Sequence, residues 1–177
     1  MITRKKKIAI IGAGNAACIT AMHYYLYGQD HFEKITIYHD PTYPIERVGQ
    51  GTTLEVPRLF YKVLGIDWFN QADLLKGTRK DGILYENWGR KNEKFFHPFP
   101  LHTCSIHYVP QLLSKLILNS GLYDVIEKNI QDPEKEIDAD YIFDCRGRHN
   151  RNEDLYENLI NPLNSVILGR DNTPNPN

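Results

Sequence analysis

The segment that decides the fold is Lys7-Ile8-Ala9-Ile10-Ile11-Gly12-Ala13-Gly14-Asn15-Ala16-Ala17. It opens with an apolar run of strand length and then breaks at two glycines. Residues 15–28 show the apolar spacing of a helix that ends at Gly28. The β-branched run from Lys34 to Tyr38 predicts a second strand. Strand, glycine turn, helix and strand together predict a βαβ unit, whose two strands are parallel and whose crossover is right-handed.

The glycine turn has the pattern G-x-G-x-x-G/A. Its first glycine allows a sharp turn, its second lets backbone approach a pyrophosphate, and its third small residue lets the helix pack on the sheet. The start of the helix also offers unpaired N–H groups and a partial positive charge to phosphates. We therefore predict that a dinucleotide binds at Gly12, Ala13, Gly14, Asn15, Ala16 and Ala17.

A ribose-binding acid is expected at the end of the second strand. His39 occupies that place and Asp40 follows it. Asp40 reaches a ribose hydroxyl if the strand end shifts by one residue; otherwise His39 makes the contact. The sequence leaves both open.

Further elements continue the α/β pattern. We predict two more helices and three more strands, and a loop rich in His, Phe and Pro: helices Leu54–Leu64 and Val109–Asn119, strands Gly82–Trp88, Tyr123–Lys128 and Ala139–Cys145, and loop Phe95–His102. The fold class is a Rossmann-like α/β fold with a mostly parallel sheet, incomplete at the C-terminus. Residues 1–150 form its dinucleotide-binding domain with an insertion over 41–104. Residues 151–177 are weakly patterned, with a short strand at Val166–Leu168, an unstructured tail from Asp171 and the start of a further module as an expectation.

Composition excludes several classes of protein. The chain has 177 residues, and 21 Lys+Arg against 22 Asp+Glu give a net charge of -1, so no nucleic acid or anionic membrane is expected as a partner. The basic run Arg4–Lys7 is expected to be a solvated lead-in. No stretch approaches the ~20 apolar residues of a membrane span, and three cysteines without CxxC spacing fit a reducing compartment. These features predict a cytoplasmic protein.

One cluster suggests a metal site. His97, His102, Cys104 and His107 lie within eleven positions, but their spacing matches no zinc motif, and we predict no bound metal.

Four segments resemble the flavin-dependent halogenases of the tryptophan-halogenase type, in the family's order. The glycine turn is shared with many flavoproteins. Val48-Gly49-Gln50-Gly51-Thr52 resembles V-G-E-A-T beside the flavin, with Gln50 and Gly51 in place of Glu and Ala. Ala139 to Gly147 is similar to A-D-x-x-I-D-C-S/T-G, which approaches the flavin.

The segment around Lys80 is the most specific part of the likeness. Residues 80–88 resemble K-x-x-I-x-F-x-N-W, whose lysine is catalytic, and Lys80 stands eight residues before Trp88. Residues 96–99 are similar to the family's Y-H-P-F loop. Without this match, a basic turn before a strand is most simply a solvated turn.

The resemblance implies both a cofactor and a reaction. FAD would bind at the glycine turn and near His39, Asp40, Gly49, Gly51, Asp144 and Gly147. Reduced FAD, supplied by a separate flavin reductase, together with oxygen and halide would give hypohalous acid. Lys80 would deliver that oxidant to an electron-rich aromatic substrate such as an indole, and burial that lowers a lysine pKa would also allow a haloamine.

The likeness has gaps that keep other functions open. The family's W-x-W-x-I-P motif has no counterpart here, so the chain resembles the N-terminal part of a halogenase, with weak FAD binding and no independent halogenation expected. The alternatives are another FAD-dependent monooxygenase or oxidoreductase, and a non-catalytic flavin-binding remnant. Substrate, halide, regiochemistry and oligomeric state, a homo-oligomer included, stay open.

Overall fold

A computed structural model describes residues 4–45 and 49–147. Its largest sheet contains four parallel strands in the order β8-β2-β1-β9. The strands are β1 (Ile8–Ile11), β2 (Thr36–His39), β8 (Asp124–Glu127) and β9 (Tyr141–Asp144). The predicted α/β fold with a parallel sheet is therefore confirmed, and the strand limits differ from the predicted ones by one to two residues.

The central strand β1 explains why this sheet forms. All four of its residues are buried, because β2 pairs on one side, β9 on the other, and helices pack against it. Helix α1 (Asn15–Tyr27) crosses from β1 to β2 and buries the small residues Ala17, Cys18 and Ala21 together with Met22. Such small side chains let a helix lie close to a sheet.

A second sheet lies beside the first and was not predicted. Its three antiparallel strands run in the order β3-β7-β4. They are β3 (Gln50–Gly51), β4 (Thr78–Lys80) and β7 (Ser105–Tyr108). Strands of two to four residues are too short for a period-two pattern, which explains why the sequence did not indicate them.

Two buried hydroxyls fasten this second sheet. Thr52 Oγ1 lies 2.7 Å from Ser105 Oγ, and Ser105 Oγ also donates to the Thr52 carbonyl at 2.5 Å. The backbone N–H of Ile106 donates to Thr52 Oγ1 at 3.1 Å. These bonds satisfy polar groups that would otherwise be costly to bury, and they fix the segment after β3 against β7.

A hairpin carries the residues between the second sheet's strands. Strand β5 (Gly82–Glu86) pairs antiparallel with β6 (Lys94–Pro98). The predicted loop Phe95–His102 is thus wrong over its first four residues, which pair along β5. Pro98 is tolerated because it is the last residue of an outer strand.

Helices α2 (Val56–Leu64) and α3 (Pro110–Leu118) complete the main core, and a short helix α4 (Pro133–Glu136) lies between β8 and β9. The predicted limits of α2 and α3 were one or two residues too long. Proline stands in the first turn of each of these helices, where its missing N–H costs nothing. Phe60 of α2 and Leu113 of α3 join Ile8, Ile10 and Met22 in one buried cluster.

The basic lead-in is paired rather than simply solvated. Arg4 and Lys6 contact the Asp140 carboxylate at 3.1 and 3.2 Å, and Lys7 Nζ contacts Asp138 at 2.6 Å. These ion pairs join the start of β1 to the approach of β9. The predicted strand at Val166–Leu168 and the tail from Asp171 lie outside the described residues.

Candidate dinucleotide site and the Lys80 face

A cleft of about 590 Å³ opens at the carboxyl ends of the parallel strands. In open α/β sheets ligands bind at this end of the sheet. The glycine turn, the end of β2, the first turn of α3 and the residues after β8 and β9 all line it. The predicted residues among them are Gly12, Ala13, Gly14, Asn15, Ala16, His39, Asp40 and Gly147.

The two glycines of the turn differ in the space around them. Gly12 has φ +116°, and a Cβ there would lie 2.7 Å from the carbonyl oxygen of Cys145. Gly14 has nothing within 4 Å of the place where its Cβ would be. Gly12 is therefore required by the fold, whereas the missing side chain of Gly14 leaves room beside the cleft.

The start of α1 is suited to an anion. Gly14 precedes the helix in extended conformation, no side chain caps the helix, and its first turn contains no acidic residue. The first N–H groups of a helix carry partial positive charge and need partners. This start of α1 and the open space at Gly14 fit the pyrophosphate of a dinucleotide.

Ala17 packs in the core between helix and sheet. It is 1% exposed and packs in the main core rather than lining the cleft. This is the place that the third small residue of the pattern should have, between helix and sheet.

Both ribose candidates line the cleft, and they differ in their partners. Asp40 Oδ1 accepts hydrogen bonds from the Thr42 hydroxyl at 2.6 Å and the Thr42 backbone N–H at 2.8 Å. These bonds from Thr42 lower the Asp40 pKa. The carboxylate is thus ionised and oriented by its own turn, while His39 lies in register with Glu127 of β8.

The remaining predicted contacts are spread along the cleft and beyond it. Gln50 lines the cleft, whereas Gly49 and Gly51 do not. Asp144 pairs with Arg146, whose Nε and Nη2 lie 2.8 and 2.5 Å from its carboxylate oxygens, and the Arg146 side chain lowers the Asp144 pKa.

Two cationic residues of the cleft were missed by the sequence analysis. Lys128 follows β8, and Arg146 follows β9. The rule that ligands meet the carboxyl ends of parallel strands could have indicated both positions. Lys128 also contacts Glu136 at 2.8 Å, and Arg146 Nη1 donates to the Ile130 carbonyl at 2.5 Å.

Lys80 is the last residue of β4 and lies on the second sheet. It pairs with Ser105, and its half-buried side chain places Nζ 5.6 Å from the centroid of the Phe99 ring. An ammonium over an aromatic face is held by the ring quadrupole. The structure thus brings Lys80 together with the last residue of the Phe96–Phe99 segment.

Trp88, which helped to single out Lys80, lies at the end of the hairpin. Its side chain is 71% exposed and meets the Tyr85 ring edge-on, with centroids 5.1 Å apart. Asn87 adopts φ +59° at the turn, a conformation that Asn tolerates better than most residues.

His107 lies beside Lys80 rather than in a metal cluster. Within the described residues no group of three or more His, Cys, Asp or Glu side chains is arranged to hold a metal ion. His107 stands opposite both Gly51 and Thr78 in the second sheet. Burial and the charge of Lys80 lower the His107 pKa.

The parallel sheet, the glycine turn and the cleft at its carboxyl edge define the class of Rossmann-like dinucleotide-binding folds. Within that class the chain belongs to the tryptophan halogenase family, whose family model matches residues 7–115.

Solved structures share the fold. The tryptophan 6-halogenase of Streptomyces toxytricini is 17% identical, with a TM-score of 0.60 over 79% of this chain and 41% of that one. A tryptophan halogenase from Shewanella frigidimarina is 17% identical, with a TM-score of 0.61 over 80% of this chain and 42% of that one. A flavin-dependent halogenase from Brevundimonas is 18% identical, with a TM-score of 0.58 over 80% of this chain and 42% of that one. The chain thus spans less than half the length of these proteins. In its described part, no helix is long and apolar enough to cross a membrane.

Proposed function

We propose that this chain is the FAD-binding part of a flavin-dependent halogenase and carries that enzyme's reactive lysine, Lys80. The observation that carries the proposal is the pairing of an uncapped glycine turn, open at Gly14, with a lysine held beside an aromatic ring on an adjoining sheet. Family membership over residues 7–115 supports the same conclusion, because that range contains both features.

The cofactor would be held mainly by backbone. The N–H groups at the start of α1 would receive the pyrophosphate, and the glycine at position 14 would let it approach closely. His39 or Asp40 would contact the ribose, while Gly49, Gly51, Asp144 and Gly147 are proposed to lie nearer the flavin. Bound reduced FAD would supply two electrons and two protons, which with oxygen, halide and one further proton would give hypohalous acid and water.

Strand β7 gives the spacing between the two parts of the site. Tyr108 at one of its ends contacts Asn15 of the turn, and Ser105 at the other end pairs with Lys80. Three residues of strand span about 10 Å. Lys80 would therefore act away from the anion-binding turn, which keeps an aromatic substrate from meeting the flavin directly.

Lys80 would hold the oxidant through its ammonium hydrogens and direct it to an electron-rich aromatic such as an indole. A separate flavin reductase would supply reduced cofactor.

The first test is FAD titration of the purified chain, followed by flavin fluorescence quenching. We expect weak saturable binding, which Gly14→Ala weakens by about tenfold or more and Lys80→Met leaves unchanged. Absence of binding at high micromolar FAD would contradict the proposal and favour a non-catalytic remnant.

The second test separates a halogenase from another flavin oxidoreductase. A chain extended by the genomic sequence downstream of codon 177 is supplied with reductase, bromide and tryptophan or an indole. Lys80→Met should abolish aryl bromide formation without stopping flavin oxidation. If Lys80→Met leaves turnover of the organic substrate intact, another FAD-dependent monooxygenase is the better assignment.

A further inference from the structure

His107 and Lys80 face one another across the bare backbone of Gly51. The position that a Cβ would occupy at Gly51 lies 3.4 Å from His107 Nδ1 and 3.5 Å from Lys80 Nζ. The two nitrogens are therefore less than about 7 Å apart. Since any larger residue at position 51 would contact both, glycine is what leaves this space open.

Sheet register produces this arrangement. Gly51 of β3 and Thr78 of β4 both stand opposite His107 of β7, and Lys80 follows Thr78 by two residues on the same face of its strand. Arg79 points to the other face and pairs with Asp81 at 2.5 Å. Among the charged groups on β3, β4 and β7 in the described chain, Lys80 is thus the one that faces the imidazole.

We propose that His107 is a positioning residue for Lys80, and that its neutral imidazole, within about 7 Å of Nζ, receives a proton from Nζ through one bridging water before Nζ forms a bond. This rests on the proposed function and deepens it, since it assigns a proton acceptor to the lysine from within this chain. The proton balance is simple. The imidazole first takes one proton from the Nζ ammonium, which frees the lone pair of the amine. As Nζ attacks the halogen of hypohalous acid, the N–halogen bond forms, the halogen–oxygen bond breaks, and the imidazolium proton converts the leaving hydroxide to water. The halogenated nitrogen then releases its extra proton to solvent.

The charge state of His107 supports that role. Partial burial and then the charge of Lys80 lower the His107 pKa, which favours the neutral imidazole with its acceptor nitrogen. The adjoining element β3 contributes only Gly51 at this face, and so no acidic side chain from it competes for Nζ.

The first experiment measures His107 by NMR titration of the 177-residue chain, and it requires neither flavin nor turnover. Replacing the ammonium in Lys80→Met should raise the His107 midpoint by about half a pH unit, the order expected for a unit charge within about 7 Å in a water-like medium. The matched control is Lys76→Met, an exposed lysine paired with Asp73 at 3.3 Å. Equal midpoints in Lys80→Met and the native chain would overturn the proposal.

The second experiment measures how fast Lys80 is acylated by a water-soluble acetyl ester, with Lys62 as internal reference and peptide mass spectrometry as readout. In the native chain, a plot of the Lys80 acylation rate against pH should show an inflection at the titration midpoint of His107. His107→Gln should remove that inflection and slow Lys80 about tenfold at neutral pH, below the usual range of general-base effects because the pair is partly open to water. A uniform slowing that keeps the inflection would mean a structural role only and would overturn the proposal. FAD affinity, measured separately, is expected to be unchanged, so failure here and failure of flavin binding are distinguishable.

Discussion

The hydroxyl of Tyr108 donates a hydrogen bond to Oδ1 of Asn15, and this bond joins strand β7 to the start of helix α1. Tyr108 ends β7, the strand that carries His107 and pairs with Lys80, while Asn15 begins the helix at the glycine turn. This side-chain contact thus links the proposed flavin-binding turn to the strand that pairs with the proposed reactive lysine.

Tyr108→Phe should remove this coupling. We expect a loss of about 1 kcal/mol in unfolding free energy, because a partly buried acceptor on Asn15 loses its donor. Denaturant titration of Tyr108→Phe, Asn15→Ala and the double variant measures the pair directly. Strictly additive effects in that cycle would show that the contact contributes nothing, and Tyr61→Phe, at a 62% exposed residue, serves as control.

The two glycines of the turn should separate folding from binding. Gly12→Ala places a Cβ against the Cys145 carbonyl at φ +116° and should cost about 3 kcal/mol of stability. Gly14→Ala meets nothing within 4 Å, so stability should change by less than about 0.5 kcal/mol.

Gly14→Ala, which should barely change stability, should instead weaken FAD binding. If the pyrophosphate passes close to residue 14, Gly14→Ala should weaken FAD binding by about tenfold or more, which corresponds to ~1.4 kcal/mol. Thermal unfolding and fluorescence titration of the same samples check both statements. Unchanged FAD affinity in a folded Gly14→Ala chain would place the pyrophosphate elsewhere.

Removing the buried hydroxyl of Tyr123 should raise the free energy of unfolding. Tyr123 is 4% exposed, and its hydroxyl has no hydrogen-bond partner among the described residues. An unsatisfied buried polar group costs about 1–3 kcal/mol, while the ring contact with Tyr25, at 5.8 Å between centroids, does not need the oxygen. Tyr123→Phe should therefore stabilise the chain by about 1 kcal/mol in denaturant titration. It should differ in sign from Tyr108→Phe, and destabilisation by Tyr123→Phe would reveal a partner for the hydroxyl.

The sequence indicated the parallel sheet because its signals are local. The apolar run of β1, the two glycines and the helical spacing of α1 lie within some twenty consecutive residues, and each has a direct physical meaning. The antiparallel sheet depends instead on the pairing of Gly51 with His107 and of Lys80 with Ser105, which are far apart in the chain. Strands that short have no period of their own. His107 was therefore considered only as a metal ligand, and its contact with the lysine face became visible only through strand register.

The loss of folding stability at acidic pH should depend on the ionisation of Asp140. Its carboxylate accepts the backbone N–H of Lys7 at 2.8 Å and lies beside Lys6 and Arg4, and the Lys7 N–H contributes most to lowering the Asp140 pKa to about 2. A carboxylate whose pKa is lower in the folded than in the unfolded chain stabilises the fold above its unfolded value and loses that effect as the pH falls. The contribution should thus be complete above about pH 4 and decline towards pH 2. Asp140→Asn should be less stable than the native chain at pH 7, and the difference should shrink between pH 4 and pH 2 in chemical denaturation at fixed ionic strength. Two curves that stay parallel across that interval would show that Asp140 titrates alike in the folded and unfolded chains.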